Sequence, residues 1–441
     1  YLILLHYELS KNTEKNMNNN LDKVKLSLLK RRRSEDLFKF YGFAGIICAV
    51  LFLILILYSV ISQGQKAFFT SYIKLDVYFD SKIIDPDNKK KEEDIKFANF
   101  RKIITTSLER KFPQVSDKED IKELASFISS SEEENLMNFV ISNKEFIGKN
   151  KVMWLLASSN IDVIVKNPEM EELDEANRLV SDKQLSWLNE IKANNELKNG
   201  LNKNFFTKAD STEPEQAGIW GSLVGSFLTI IITLILSFPI AVSAGVFLEE
   251  LAPKNRFTEF LEVNINNLAA VPSIIFGLLG LAIFLNIMHL PRSAPIVGGL
   301  VLALMTLPTI IIATRSSLKS VPPSIREAAI GLGATRFQSV VDHVLPLAIP
   351  GIMTGTIIGM SRALGESAPL LMIGMVAFIV DVPGSFLDSS TALPVQIYLW
   401  KSTAARGFVE LTAAGVIVLL GFLVLMNGLA VFIRQKFEKK W

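Results

Sequence analysis

Arg362 and Glu366 stand four residues apart within an otherwise apolar run from Ile349 to Val380. Placing an ionised group in a bilayer costs at least about 2.5–3.5 kcal/mol on insertion scales, so such residues usually line an interior or a water path. The four-residue spacing puts both on one helix face, where they partly neutralise each other. A guanidinium held there has planar donors that match the oxygens of a tetrahedral oxyanion two at a time. The carboxylate would then orient the arginine and keep the empty site from binding too tightly. The other reading is a structural ion pair that only sets helix register against a neighbour. Arg315, at the end of an earlier apolar run, is a third pathway residue or equally an anchor at the membrane edge.

Several features serve to position this pair. Gly351, Gly355, Gly359 and Ala363 recur every four residues on a neighbouring face, a stripe that permits close helix packing. Pro369 interrupts helical hydrogen bonding beyond the pair and offers a bend. Upstream lies a polar block, residues 324–350, held between two apolar segments. Pro322 and Pro323 stiffen its approach, Ala328 and Ala329 favour helix, and Gly331 with Gly333 end that helix so that a turn follows. The small residues let another protein's groove approach the backbone, with Arg326 and Glu327 offering polar contacts at the rim. The bland alternative is an amphipathic connector between two spans.

Of 441 residues, 49% are hydrophobic, and they gather into runs. Runs long enough to cross a bilayer are Phe43 to Ile61, Ile219 to Phe247, Asn264 to Asn286, Ala294 to Thr314, Gly351 to Val380 and Leu411 to Ile433. The expected fold is therefore an all-α polytopic membrane protein with both termini on one side. Arg31, Arg32, Arg33 and Lys39 precede the first span, Arg315, Lys319, Arg326 and Arg336 cluster in the polar block, and Arg434, Lys436, Lys439 and Lys440 follow the last span. The positive-inside rule makes all three cytoplasmic. Residues 1–40 are then a cytoplasmic segment and 41–62 the first transmembrane helix, retained as an anchor because Ile61 to Gly64 make a weak cleavage site. The stretch before Met17 reads as disordered or upstream of a natural start. Trp220, Trp400 and Trp441 fit interfacial anchors, and Asn264, Asn266 and Asn267 fit interhelical hydrogen bonders.

Residues 63–216 turn to Lys, Glu, Asp and Asn, the balance of a soluble domain on the far side of the membrane. Ile73, Leu75, Val77 and Phe79 alternate with polar residues as in a half-buried strand, and Asn160 to Val165 is a possible second one. Ile95 to Leu108, Ile121 to Ile128 and Ser181 to Asn194 have helical spacing, and Ser131 with Glu134 resembles a capping box. Asp85, Pro86, Asp87 and Asn88 make a loop. The insertion is thus mainly helical α+β. It contains no His and no Cys, and its acid runs, Glu132 to Glu134 and Glu171 with Glu172, read as solvated helix faces. Partner binding or spacing suits it better than catalysis.

The block containing Glu327, Ala328, Ala329, Gly333, Leu345 and Pro346 resembles the EAA loop of bacterial ABC-importer permeases. His343 departs from that pattern, standing where the family usually has Ile or Val. Residues 217–441 resemble a type I ABC importer permease core of five helices, with the loop at 315–350. Val271 to Gly280, Arg362 to Leu370 and Leu393 to Tyr398 are similar to the phosphate-specific PstA permeases, and Ala368-Pro369-Leu370 after Gly365-Glu366-Ser367 favours PstA over PstC. The insertion resembles, more loosely, an N-terminal extension of some PstA-type chains. The resemblance implies a bacterial inner-membrane permease subunit for inorganic phosphate. It implies Arg362, Glu366 and Arg315 as pathway candidates and the EAA loop, with Arg326, as the part that couples to an ATPase. It implies as partners a PstC-like permease, a PstB-like ATPase dimer and a PstS-like binding protein.

The formal charge of +2 gives no reason to invoke nucleic acid. Cys48 is the sole cysteine, so no disulfide forms within the chain. His289 and His343 are isolated and lack metal-ligand spacing. No phosphate loop for nucleotide occurs, Gly148-Lys149 lacking its partners, so ATP and Mg2+ would bind to another chain. Three rivals remain: cargo such as molybdate or sulfate, a transmembrane receptor with a periplasmic sensor domain, and a membrane enzyme. The receptor lacks a cytoplasmic kinase or coiled coil, and the enzyme lacks a nucleophile-base or metal constellation.

Overall fold

A computed structural model describes residues 2–86 and 90–437; the expected loop residues Asp87 and Asn88, and Lys439, Lys440 and Trp441, lie outside them. The chain divides into two units, residues 1–60 and 61–441. The first is most of one helix, α1 (Leu2–Gly64), which starts well before Met17 and so replaces the irregular segment expected there. Its apolar stretch carries Cys48, the sole cysteine of the chain.

The second unit begins with a three-stranded antiparallel sheet covered on one face by helices. Strand β1 (Phe69–Tyr78) is central, with Ile73, Leu75 and Val77 buried and Lys74 and Asp76 exposed. Helices α2 (Phe100–Lys111) and α3 (Ser131–Ser142) follow, then β2 (Asn150–Leu156), α4 (Ser159–Lys166), α5 (Asp182–Ala193) and β3 (Leu197–Leu201). The strand order is β2-β1-β3, with Leu75 opposite Met153 and Ile73 opposite Leu197. Residues 160–165, read as a strand from their β-branched run, are helical. Ile161 and Ile164 lie three apart on one buried helix face, while the sheet takes its second strand from the segment just before. Ser131 makes no capping box, its hydroxyl meeting that of Ser129, and Glu132 is buried against Asn135, not solvated. Glu171 likewise pairs with Lys192. Ser181 does cap α5, reciprocally with Gln184.

The remainder is helical: α6 (Trp220–Val246) with a widened turn at Phe247–Leu251, α7 (Arg256–Ala269), α8 (Ser273–Gly280), α9 (Pro295–Lys319), α10 (Pro323–Gly331), α11 (Leu345–Gly365), α12 (Ala368–Met372), α13 (Leu393–Ser402) and α14 (Gly407–Phe437). Among the described residues, five helices are long and apolar enough to cross a membrane, or six if one bent pair is a single span. That pair, α7 with α8 and its extension to Ile287, replaces the straight span expected at 264–286 and bends by 101°. Pro272, in extended backbone at the break, cannot donate the hydrogen bond that would carry the helix through. The run expected to continue to Val380 also stops early. Glu366 is extended (φ −80°, ψ 122°), and Pro369 falls in the first turn of α12.

The glycine stripe packs α11 onto α9. A Cβ added at Gly355 would lie 2.1 Å from the Ala313 methyl, and one at Gly351 2.4 Å from the Ser317 hydroxyl, so only glycine allows this approach. Gly299 meets Ile232 and Thr229 of α6 in the same way. Two expectations are corrected here. Trp400 is not an interfacial anchor: it is 2% exposed and donates its indole N–H to Asp210 at 2.9 Å. Asn264 donates to the Phe260 carbonyl of its own helix, and Asn266 and Asn267 are exposed, so among the described residues none bridges helices.

The sheet and its helices are joined to α14 by buried charge. Lys166 pairs with Asp162 of its own helix and lies 3.7 Å from Glu410 in the first turn of α14. Asn167 donates to Glu410 at 2.9 Å and accepts from Lys66, while Asp162 accepts from the Ser71 backbone N–H. Close by, Glu215 is 5% exposed, with one carboxylate oxygen buried and without a hydrogen-bond partner among the described residues. Burial raises its pKa above the ordinary carboxyl value. The folded chain therefore holds this proton more tightly than the unfolded chain, and stability falls as pH rises through the raised pKa. Glu215→Gln is expected to raise the melting midpoint relative to wild type at pH 8 and to change it little at pH 4, as read by thermal scans at the two pH values.

Candidate functional site

Helix α10 starts at Pro323, whose fixed φ and missing N–H suit a first turn. It ends where the Gly333 N–H meets the Ile330 carbonyl, Gly333 taking φ +91°, a conformation that glycine adopts freely. Thr335 then caps the next turn reciprocally with Gln338, and the chain runs through a widened stretch, Ser339–Val344, directly into α11. Leu345 packs against Leu318, Val321, Val344, Ala348 and Ile352, and Pro346 sits in the first turn of α11. Ala329 is buried beneath the loop, while Glu327, Ala328 and Gly333 face outward. So do Leu332, 91% exposed, and Phe337, 61% exposed, two apolar tips that the sequence reading did not single out. His343 is exposed, which explains why a polar residue is tolerated there.

Arg326 is not at the rim. Its guanidinium turns inward, donating to the Val321 carbonyl at 2.7 Å, the Leu318 carbonyl at 2.8 Å and both carboxylate oxygens of Glu250. Glu250 stands in the widened turn after α6 and is 8% exposed. One side chain thus ties α10 to the ends of α6 and α9. The hydrogen bonds to Glu250 raise the arginine's pKa further. Beside it, Arg315 contacts Glu249 at 3.2 Å and Glu262 of α7 at 2.7 Å, and Lys319 reaches Glu249 at 3.5 Å. Four helices are held by this cluster. The acids Glu249, Glu250 and Glu262 escaped the sequence reading, although a Glu pair directly following an apolar run was a legible signal.

Arg362 lies in the last turn of α11, where helix carbonyls favour a cation. Its Nε is 3.5 Å from Glu366, with the arginine side chain 54% and the glutamate 22% exposed. The pair meets as the spacing predicts, although Glu366 has already left the helix. Being half exposed, it contributes little to stability, and among the described residues Glu366 is the guanidinium's ion-pair partner. The structure does not bring Arg315 to this pair. Ala313 packs at Gly355 and Ser317 at Gly351, so Arg315 is level with about residue 353, roughly 13 Å along α11 from Arg362.

Two family models match the chain: a domain of unknown function over residues 25–175, and the binding-protein-dependent transport system inner membrane component over residues 237–439. The chain is 37% identical over 172 residues to the probable ABC transporter permease protein YqgI of Bacillus subtilis, covering 39% of this chain and 58% of that protein. It is 30% identical over 225 residues to the phosphate transport system permease protein PstA of Mycobacterium leprae, covering 50% of this chain and 71% of the relative. Among solved structures, an inward-facing MetNI methionine ABC transporter aligns at 20% identity and a TM-score of 0.41, over 50% of this chain and 98% of the other.

Proposed function

From the chain's membership of the PstA-type family of ABC transporter permeases, we propose that it forms half of an ATP-driven import pathway for inorganic phosphate in a bacterial inner membrane. The other half is a PstC-like permease, a PstB-like ATPase dimer binds ATP and Mg2+, and a PstS-like protein delivers the anion. Both termini and the loop at 315–350 face the cytoplasm, and residues 63–216 form a periplasmic domain ahead of the core at 217–441. The basic residues flanking the spans support that orientation.

The observation that carries this reading is the way Arg326 fastens an exposed coupling helix to two membrane helices. Glu327, Leu332 and Phe337 offer the ATPase a polar contact and two apolar knobs. When the ATPase dimer closes, displacement of α10 passes through Arg326 to α6 and α9. It passes through the continuous chain at Leu345 and Pro346 to α11, which carries Arg362. The guanidinium gives phosphate two parallel donors, and Glu366 competes for them, so the ion is held weakly enough to leave. Arg315 serves the scaffold in this mechanism.

The test is ATP-dependent uptake of labelled phosphate into vesicles carrying the reconstituted four-component assembly. Wild type is expected to transport phosphate in preference to molybdate and sulfate. Arg362→Ala, assembled to the same extent, is expected to raise the phosphate concentration for half-maximal uptake about tenfold, as loss of a charge-assisted hydrogen bond predicts. Preference for another oxyanion by an assembled wild type would overturn the cargo, and unchanged uptake in the variant would reduce Arg362 to a structural ion.

A further inference from the structure

The connector between β3 and α6 carries a buried acid, Glu215, at the point where three parts of the chain close on one another. It lies against the start of α4 and the start of α14. The fit there is tight: a Cβ added at Gly407, the first residue of α14, would lie 2.1 Å from the Ser159 Oγ and 2.8 Å from the Pro214 Cβ. A cavity of about 20 Å3 remains between these segments, lined by Asp162, Lys166, Glu215 and Glu410 with Ser159 and Asn202. Three carboxylates thus share it with one ammonium.

That ammonium is already engaged, since Lys166 pairs with Asp162 and lies 3.7 Å from Glu410. Lys66 donates to Asn167 and lies 3.9 Å from Glu169. Lys208 faces Glu132 at the start of α3, and Glu213 sets a further negative charge beside Glu215. Among the described residues no cation pairs with Glu215. The Ser129 hydroxyl and the Ser159 backbone N–H serve its carboxyl, yet Oε2 is shut off from solvent and takes no hydrogen bond. A carboxylate so placed keeps most of its desolvation cost, which is why burial dominates its raised pKa. A metal ion is no remedy, because among the described residues no three such acids are grouped to hold one. Nor is a hydrated ion, because the cavity has room for about one water and Oε2 is closed to it. A proton needs no such room.

We propose that Glu215 is a proton latch, protonated while α4, the connector and α14 are closed on one another, and that loss of its proton opens their junction. Ionisation sets a third negative charge beside Asp162 and Glu410, with Lys166 as the cation among them. Separating α14 from α4 relieves the repulsion and lets water reach the new carboxylate. In the open junction Glu215 is an ordinary carboxyl, so opening releases a proton. Opening therefore grows more favourable as pH rises, until the closed form has itself lost the proton. In the orientation proposed above the junction faces the periplasm and the latch responds to the pH outside the cell; the inference rests on the transport reading for that side alone.

Hydrogen–deuterium exchange on the full chain in its membrane assembly is the test, and it needs no phosphate transport, so the two readings fail separately. Between the open-state and closed-state pKa values, the opening of α4 and of the first turns of α14 is expected to rise more steeply with pH in wild type than in Glu215→Gln. The excess is about tenfold per pH unit, the weight of one proton. Comparing the two chains at each pH cancels the intrinsic pH dependence of amide exchange. Infrared difference spectra give a second measure at about pH 6, where an exposed carboxyl is ionised. There wild type is expected to show a protonated carboxyl that Glu215→Gln lacks and that wild type loses at high pH. If Glu215→Gln does not assemble, Glu215→Met, which likewise carries no titrating proton, takes its place. Parallel pH profiles of exchange in wild type and variant would overturn the latch, and so would a Glu215 already ionised at about pH 6.

Discussion

Arg326→Ala is expected to leave ATP hydrolysis running while ATP-driven uptake falls by on the order of a hundredfold. The arginine provides the described side-chain link from α10 to both the end of α9 and the turn after α6, through the Leu318 and Val321 carbonyls and Glu250. Removing one partner of a buried ion pair costs about 3–5 kcal/mol, chiefly because the other charge stays buried. Glu250, 8% exposed, is that stranded charge. Water or a shift of the turn after α6 relieves it, and either loosens the joint through which motion would pass. Glu250→Gln keeps a hydrogen-bond acceptor but removes the charge, so its defect is expected to be smaller. Arg326→Lys is expected to resemble alanine more than wild type, because an ammonium cannot bridge two carbonyls and a carboxylate as a planar fork does. The measurement is the ratio of phosphate moved to ATP hydrolysed in reconstituted vesicles. An unchanged ratio in an assembled Arg326→Ala complex would refute this role.

Lys166→Met should produce the largest loss of stability. The lysine is 9% exposed between Asp162 and Glu410, themselves 10% and 11% exposed. Replacement leaves two buried carboxylates without their nearest countercharge, a loss of roughly 3–5 kcal/mol. For a unit of this size the melting midpoint would drop by roughly 5–10 °C. Because Glu410 opens α14 and Asp162 belongs to α4 beside the sheet, the damage falls on their junction, and hydrogen exchange is expected to accelerate at both α4 and the start of α14. Adding Glu410→Gln to Lys166→Met is expected to restore part of the midpoint, since it removes one stranded charge and keeps an acceptor for Asn167. A double variant no more stable than Lys166→Met alone would show that lost packing, not stranded charge, is the cause.

What the sequence determined by itself is whatever depends on local order. The runs that can cross a membrane, the alternation at Ile73, Leu75 and Val77, the Ser181 cap and the glycine that ends α10 are each set by residues a few positions apart. The glycine stripe of α11 was legible for the same reason, since a period of four needs no knowledge of the partner helix. The Arg362–Glu366 contact was legible as well, although Glu366 reaches it from outside the helix. Tertiary structure decided what depends on which distant residue arrives. Arg326 reads as a rim residue in a polar loop, and only the approach of Glu250, 76 positions away, turns it inward. Trp400 reads as an interfacial anchor until Asp210, 190 positions away, meets its indole. Asn160 to Val165 carry strand-forming side chains, yet the sheet's places are taken by neighbouring segments, and burial of Ile161 and Ile164 on one face makes the segment helical. In each case a short pattern admits two conformations or two directions, and the burial of charge or apolar surface against a remote partner selects between them.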